Sequence, residues 1–128
     1  MKQKDFKIND RLRSFRYAFN GLKRLFVNEH NAWIHFIAAL FAIISGIAFR
    51  VSSTDWIAII IAIGIVFSSE AINTSIEKLS DFVSPEKQSS IKDVKDIAAA
   101  GVLISAITAL LIGLIVFIPR ILTLIAIK

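Results

Sequence analysis

Glu70, Asn73, Glu77 and Asp81 fall within the run SSEAINTSIEKLSD, directly after an apolar stretch, WIAIIIAIGIVFSS, that begins at Trp56. On a helix turning about 100° per residue the four share one ~80° arc over ~16 Å, and Thr74 lies to one side of Glu70. Ala71, Ile72, Ile76 and Leu79 occupy the opposite face. Scattered surface polarity would not segregate in this way, so the arc is expected to face a protein groove or water. A carboxylate in a partly dry site suits a general base. A second carboxylate one helical repeat further on offers oxygen ligands to Mg²⁺, a hard cation that keeps several waters. Asn73 is spaced to orient either carboxylate, and Lys95 could reach phosphate oxygens from the start of the next helix. Together these groups suit phosphoryl transfer, where positioning and charge neutralisation carry most of the catalysis. The familiar nucleotide signatures are missing. The five glycines, at 21, 46, 64, 101 and 113, are isolated, so there is no GxxxxGK[ST] loop, and neither HRD nor DFG occurs.

Three apolar blocks must position these groups: Ala32 to Phe49, Trp56 to Phe67, and Ile97 to Ile118. A membrane-crossing helix needs roughly 20 residues for about 30 Å of hydrocarbon. The second block reaches that length only by continuing through Glu70 and Asn73, which requires partners for both. With Trp56 at the outer interface, Glu70 lies ~21 Å further in and ~9 Å short of the inner boundary, where a lipid headgroup sits. Glu77 then falls at the boundary itself, within reach of a cytosolic solute. An acidic residue at the centre of a span costs about 2.5–3.5 kcal/mol, so its presence implies a use.

The expected architecture is an all-α membrane protein of one domain, 1–128. It comprises an amphipathic helix over about 6–28 and transmembrane helices over about 31–50, 55–82 and 91–119. The chain is 55% apolar and has no cysteine, which excludes disulfide frameworks and thiolate metal sites. Its net charge of +5 flanks the apolar blocks without forming a separate basic domain, so nucleic acid is not the expected partner. Of the 15 Lys and Arg residues, 12 lie before the first block or between the second and third. The positive-inside rule then places the N-terminus and the 78–96 loop in the cytoplasm. No cleavable leader is expected, and the first span directs insertion. Ile8, Leu12, Phe15, Phe19, Leu22 and Phe26 form one helical stripe, with Arg13, Arg16, Lys23 and Arg24 off it. Such a helix could lie on the inner leaflet or pack against the cytoplasmic ends of the spans. Pro85 should stop the second span, and Pro119-Arg120 should punctuate the third, after which the tail ILTLIAI, too short to span, could extend the helix or sit in the interface. Trp33 and Trp56 read as interface anchors, His35 as an interfacial or interhelical hydrogen-bonding residue, and Asp81 as a boundary charge paired with Lys78 or an arginine.

The stretch Glu70-Ala-Ile-Asn-Thr-Ser-Ile-Glu77, then Asp81, then Lys95-Asp96-Ile-Ala-Ala-Ala-Gly-Val-Leu resembles the bacterial integral-membrane diacylglycerol kinase and undecaprenol kinase family. The match extends upstream to Tyr17-Ala-Phe-Asn-Gly-Leu and Asn28-Glu29. The resemblance implies a surface helix and three spans per chain, a homotrimer with sites between subunits, and a bacterial cytoplasmic-membrane location. It implies Mg²⁺-dependent transfer of the ATP γ-phosphate to a lipid hydroxyl, in first place of diacylglycerol, giving phosphatidic acid, or else of undecaprenol, giving undecaprenyl phosphate. Glu70 would be the general base, supported by Asn73. Glu29 and Glu77 would hold the metal on the ATP phosphates. Lys95 and Asp96 would contact the nucleotide, and Tyr17 and Glu86 would line its pocket. Asp96 could equally cap the third helix. Ser69 and Ser80 depart from the apolar residues expected in relatives, and the SPE loop and the NGLKRLFVNEHN run look more like the undecaprenol kinase branch. The competing reading is a non-enzymatic oligomer, such as an ion or proton conduit lined by Glu70.

Overall fold

A computed structural model describes residues 8–86 and 88–126. Phe6 and Lys7, where the first helix was expected to begin, lie outside the described residues, as do Lys2, Lys4, Lys87 and Lys128. The described chain is all helical: α1 (Ile8–Asn28), α2 (His30–Ala48), α3 (Ser53–Val83) and α4 (Ser89–Ala126). Of these, α2, α3 and α4 are long and apolar enough to cross a membrane. The largest interface joins α3 to α4, α2 packs on α3, and α1 touches both α2 and α3 near its C-terminal end.

The α1–α2 joint is a single residue. Glu29 is extended (φ −114°, ψ 114°), and α2 starts immediately after it. Aromatic packing stiffens the joint. Phe26 meets Trp33, Phe36 and Phe67 with ring centroids 5.6, 5.8 and 5.9 Å apart. The Trp33 indole Nε1–H donates to the Phe26 carbonyl at 2.8 Å. Trp33 thus closes the elbow as well as presenting an exposed ring. The residue of α1 that is buried is Leu25, which is not on the apolar stripe read from the sequence. Of that stripe, Phe26 turns inward, whereas Ile8, Leu12, Phe15, Phe19 and Leu22 remain exposed in the single chain.

At the opposite end, Val51, Ile59 and Val116 form a small core packed by Phe49, Trp56, Ile63, Ile112 and Phe117. The α2–α3 turn is a Schellman cap: Val51 N–H reaches the Gly46 carbonyl at 3.1 Å and Arg50 N–H the Ile47 carbonyl at 3.2 Å. Arg50 therefore sits at positive φ (49°), a conformation that favours glycine. Trp56 lies on Gly46 so closely that a Cβ there would come within 2.8 Å of its ring, so this tryptophan packs into the protein in addition to marking an interface. A capping box then starts α3: Asp55 N–H donates to Ser52 Oγ at 3.2 Å and Ser52 N–H to Asp55 Oδ2 at 3.0 Å. The same Asp55 Oδ2 accepts from Arg120 Nη2 at 2.6 Å, tying the start of α3 to the far part of α4.

The last span was expected to run to about residue 119; α4 instead continues through Pro119 to Ala126, so of the two readings of the tail the structure shows extension of the helix. Proline removes one backbone donor, from the carbonyl four residues earlier. Neighbouring side chains reinforce the ladder here: Arg120 Nη1 donates to the Val116 carbonyl, and Thr123 Oγ1 to the Pro119 carbonyl at 2.8 Å.

The Schellman turn makes a testable point. Arg50→Gly is expected to raise stability by about 1 kcal/mol, the balance between relieved left-handed strain and glycine's greater chain entropy. The midpoint of thermal unfolding in detergent should rise; a fall would show that the arginine side chain outweighs the backbone term.

Candidate active site

Seven residues of α3 are buried: Ile59, Ala62, Val66, Glu70, Asn73, Thr74 and Ser80. Spacings of three and four place Ile59, Ala62, Val66, Glu70 and Asn73 along one stripe of the helix. The stripe that packs the core therefore turns polar at Glu70 without changing face. Among the described residues Glu70 is the largest fully buried side chain, 1% exposed.

Around Glu70 the structure leaves hydrogen-bonding capacity unused. Among the described residues, Glu70 Oε2, Asn73 Oδ1 and Thr74 Oγ1 are buried without a partner. An unmade bond to a buried polar atom costs about 1–3 kcal/mol, and here three such atoms lie within five consecutive residues. The nearest ionisable contact is His35, whose Nε2 lies 4.0 Å from Glu70 Oε2, beyond hydrogen-bond range. Asn73 does support a carboxylate: its Nδ2 donates to Glu77 Oε1 at 3.2 Å. Glu29 and Glu77 both lie within electrostatic reach of Glu70. The joint between α1 and α2 therefore delivers a third carboxylate to the site, a convergence that the residues around Glu29 did not signal on their own.

The remaining predicted residues are placed differently. Lys95 Nζ holds Asp81 Oδ1 at 2.8 Å and lies within electrostatic reach of Glu77, which brings it to the Asp81 end of the acidic line. Asp81 is exposed, as suits a boundary charge, but its partner is Lys95 instead of Lys78 or an arginine. Thr74 takes its place among the buried residues. Asp96 pairs with Lys92 at 2.5 Å, and because α4 begins at Ser89 it lies inside the helix and does not cap it. Tyr17 is 61% exposed, with its hydroxyl 3.4 Å from Arg13 Nη2. Glu86 is exposed in the α3–α4 connection, its carbonyl accepting from Ser84 Oγ at 3.3 Å. The contacts of Tyr17, Glu86 and Asp96 are thus local ones. Sequence reasoning read His35 only as an interfacial or interhelical residue and Thr74 only as a neighbour of the arc, and gave neither a place at the site. The available signal was that His35 is the one ionisable side chain within the apolar block of α2.

The carboxylates suit one kind of metal binding. Among the described residues no group of three or more His, Cys, Asp or Glu is arranged to hold an ion. Two carboxylates, Glu29 and Glu77, fit Mg²⁺ that arrives with phosphate ligands and retains water, which is how Mg²⁺ is normally held by one or two protein oxygens.

An apolar groove of about 490 Å³ runs between α2, α3 and α4, lined by Ala38, Ala42, Val66, Phe67 and Gly113 among others. His35 is part of its lining, so the groove reaches the neighbourhood of Glu70. A second hollow, on the other face of α3 over Ala71, Ile72, Ser75, Ile76 and Leu79, contains no ionisable side chain.

Comparison with known proteins bears on this arrangement. Residues 16–117 match the family described as prokaryotic diacylglycerol kinase. The chain is 33% identical over 122 residues to the undecaprenol kinase of Bacillus subtilis, an alignment covering 94% of this chain and 99% of that protein. It is 28% identical over 112 residues to a diacylglycerol kinase of Synechocystis sp., covering 87% of this chain and 64% of that one. A buried carboxylate among orphaned polar atoms, two further carboxylates and an apolar groove at its side accord with these matches, and the chain belongs to the prokaryotic diacylglycerol kinase family of lipid kinases.

Proposed function

We propose that the protein transfers the γ-phosphoryl group of ATP to the hydroxyl of a membrane lipid, with undecaprenol ahead of diacylglycerol as acceptor. The observation that carries this reading is Glu70, fully buried, with an unpartnered oxygen and an apolar groove beside it. A chain lying in the groove would bring its terminal alcohol to that oxygen. Glu70 takes the hydroxyl proton as the lipid oxygen bonds to the γ-phosphorus and the bond to the ADP oxygen breaks. Asn73 holds Glu77 in place, and Glu29 with Glu77 would hold Mg²⁺, which neutralises phosphate charge. Lys95 adds a cation at the nucleotide end, with Asp81 steadying it. Tyr17, Glu86 and Asp96 complete the nucleotide pocket, in keeping with the family's motifs. The preference for undecaprenol rests on similarity over the full length of the relative that bears that name.

The proposed setting is a homotrimer in the bacterial cytoplasmic membrane, with the N-terminus and the 78–96 loop in the cytoplasm. Charge distribution supports this orientation, with Lys and Arg concentrated in those two segments. The exposed apolar residues of α1, with arginines on its other face, suit a helix lying on the inner leaflet. The apolar faces left uncovered on α2, α3 and α4 supply surface for neighbouring copies and for lipid.

Purified protein in detergent with Mg-ATP should phosphorylate undecaprenol with a higher kcat/KM than dioleoylglycerol. No phosphorylated lipid from either acceptor, together with ion flux in liposomes, would instead support the conduit reading. Glu70→Gln is expected to lower kcat by about 10²- to 10⁴-fold while leaving the assembly intact on size-exclusion chromatography. Retained turnover would remove Glu70 from the role of base. Glu77→Gln is expected to raise the Mg²⁺ concentration for half-maximal rate. The shift should be at least the 10- to 100-fold typical of losing even an outer-shell partner, with KM for lipid unchanged. An unaltered Mg²⁺ titration would show that Glu77 does not hold the ion.

A further inference from the structure

Immediately beside Glu70, Ser69 Oγ and Ser105 Oγ lie 2.7 Å apart across the α3–α4 interface. Ser105 Oγ also donates to the Gly101 carbonyl at 2.9 Å, so the proton of the serine pair comes from Ser69. The two hydroxyls form a short relay, Ser69 to Ser105 to Gly101, with each proton used. This contrasts with Glu70, Asn73 and Thr74, whose buried oxygens have no protein partner. The serines are complete without a ligand, and their role must lie in what they hold.

They are the middle of three polar ties between α3 and α4. Asp55 meets Arg120 at one end, Ser69 meets Ser105, and Asp81 meets Lys95 at the other end. From Asp55 to Ser69 is fourteen residues up α3, matched by fifteen down α4 from Arg120 to Ser105. From Ser69 to Asp81 is twelve, matched by ten from Ser105 to Lys95. All three ties therefore report one antiparallel register. They do not constrain it equally. Arg120 and Lys95 act through long stems that tolerate sliding by an ångström or more. Each serine has a single carbon between backbone and hydroxyl, so a 2.7 Å contact persists only if depth and rotation of both helices are held. In hydrocarbon no water replaces a broken bond.

We infer that the Ser69–Ser105 hydrogen bond is a positioning device for the phosphoryl transfer. It fixes the rotation of α3 at the residue preceding Glu70, and so sets the Glu70 carboxylate relative to Glu29 and His35, which come from other elements. Its contribution is to placement more than to folding. Interhelical hydrogen bonds in membranes contribute little stability on average, whereas a 1 Å misplacement of a reacting group can cost about 10²-fold in rate. The role rests on the kinase reading proposed above.

The test is a double-mutant cycle on the full-length protein in detergent with Mg-ATP and undecaprenol. Ser69→Ala and Ser105→Ala are each expected to lower kcat about tenfold, with KM for ATP unchanged. The double variant should be no slower than either single one, because both substitutions break the same bond. Ser105→Thr keeps the hydroxyl and should recover most of the rate. Thr108→Ala is the control: its hydroxyl turns back onto the Ile104 carbonyl of its own helix, and kcat should not change. Single variants with wild-type kcat, or losses that multiply in the double variant, would overturn the positioning role while leaving the kinase reading in place. A wild-type protein that phosphorylates neither undecaprenol nor dioleoylglycerol would remove both.

Discussion

One helix face governs this molecule. The buried stripe of α3 is apolar from Ile59 through Val66 and polar from Glu70 onward, with no change of direction. A carboxylate at that depth has three destinations: lipid, water or protein. Packing of the apolar half against α4 decides among them, because whatever orients Ile59 and Val66 inward also orients Glu70 inward. The cost of burying the acid is thus carried by the same contact that assembles the core. The rest of the chain arranges itself around that placement. α2 brings His35 to 4.0 Å, the α1–α2 joint brings Glu29 within electrostatic reach, and α4 brings Lys95 to the far end of the acidic line.

Much of this was legible in the sequence, because helical periodicity is a strong constraint. A helical wheel sufficed to put Glu70, Asn73 and Glu77 on one face, and in the protein Glu70 is buried and Glu77 partly so. The partner of Asp81 was misassigned for an identifiable reason: angular position shows where a side chain starts, but Lys95 on another helix decides where it ends. Thr74, at the edge of the arc, is buried because its neighbours close over it. Leu25 was missed because α1 serves two environments. Its stripe faces outward along most of the helix, and only its last turn meets the aromatic cluster around Phe26.

The places where sequence reasoning failed are mostly contacts between elements distant in the chain. Pro119 left the fate of the tail open by local rules, and α4 continues because one missing backbone donor is tolerated in a helix whose flanking side chains supply bonds of their own. Asp96 reads as a cap until the helix is seen to start seven residues earlier. Ser69 read as a departure from an apolar norm, and only the position of Ser105, 36 residues away, gives it a partner. Glu29 is similar: locally it is a surface acid between two asparagine-containing turns, and only the fold sets it near Glu70.

The break at Glu29 has a mechanical side. At 1.5 Å per residue, the 21 residues of α1 make a rod about 31 Å long that ends on one extended peptide unit. That pivot is clamped by the Trp33 indole and the rings around Phe26, so the rod cannot swivel loosely. The pitch of α1 and the location of the Glu29 carboxylate are consequently a single mechanical coordinate: tilting the one transports the other.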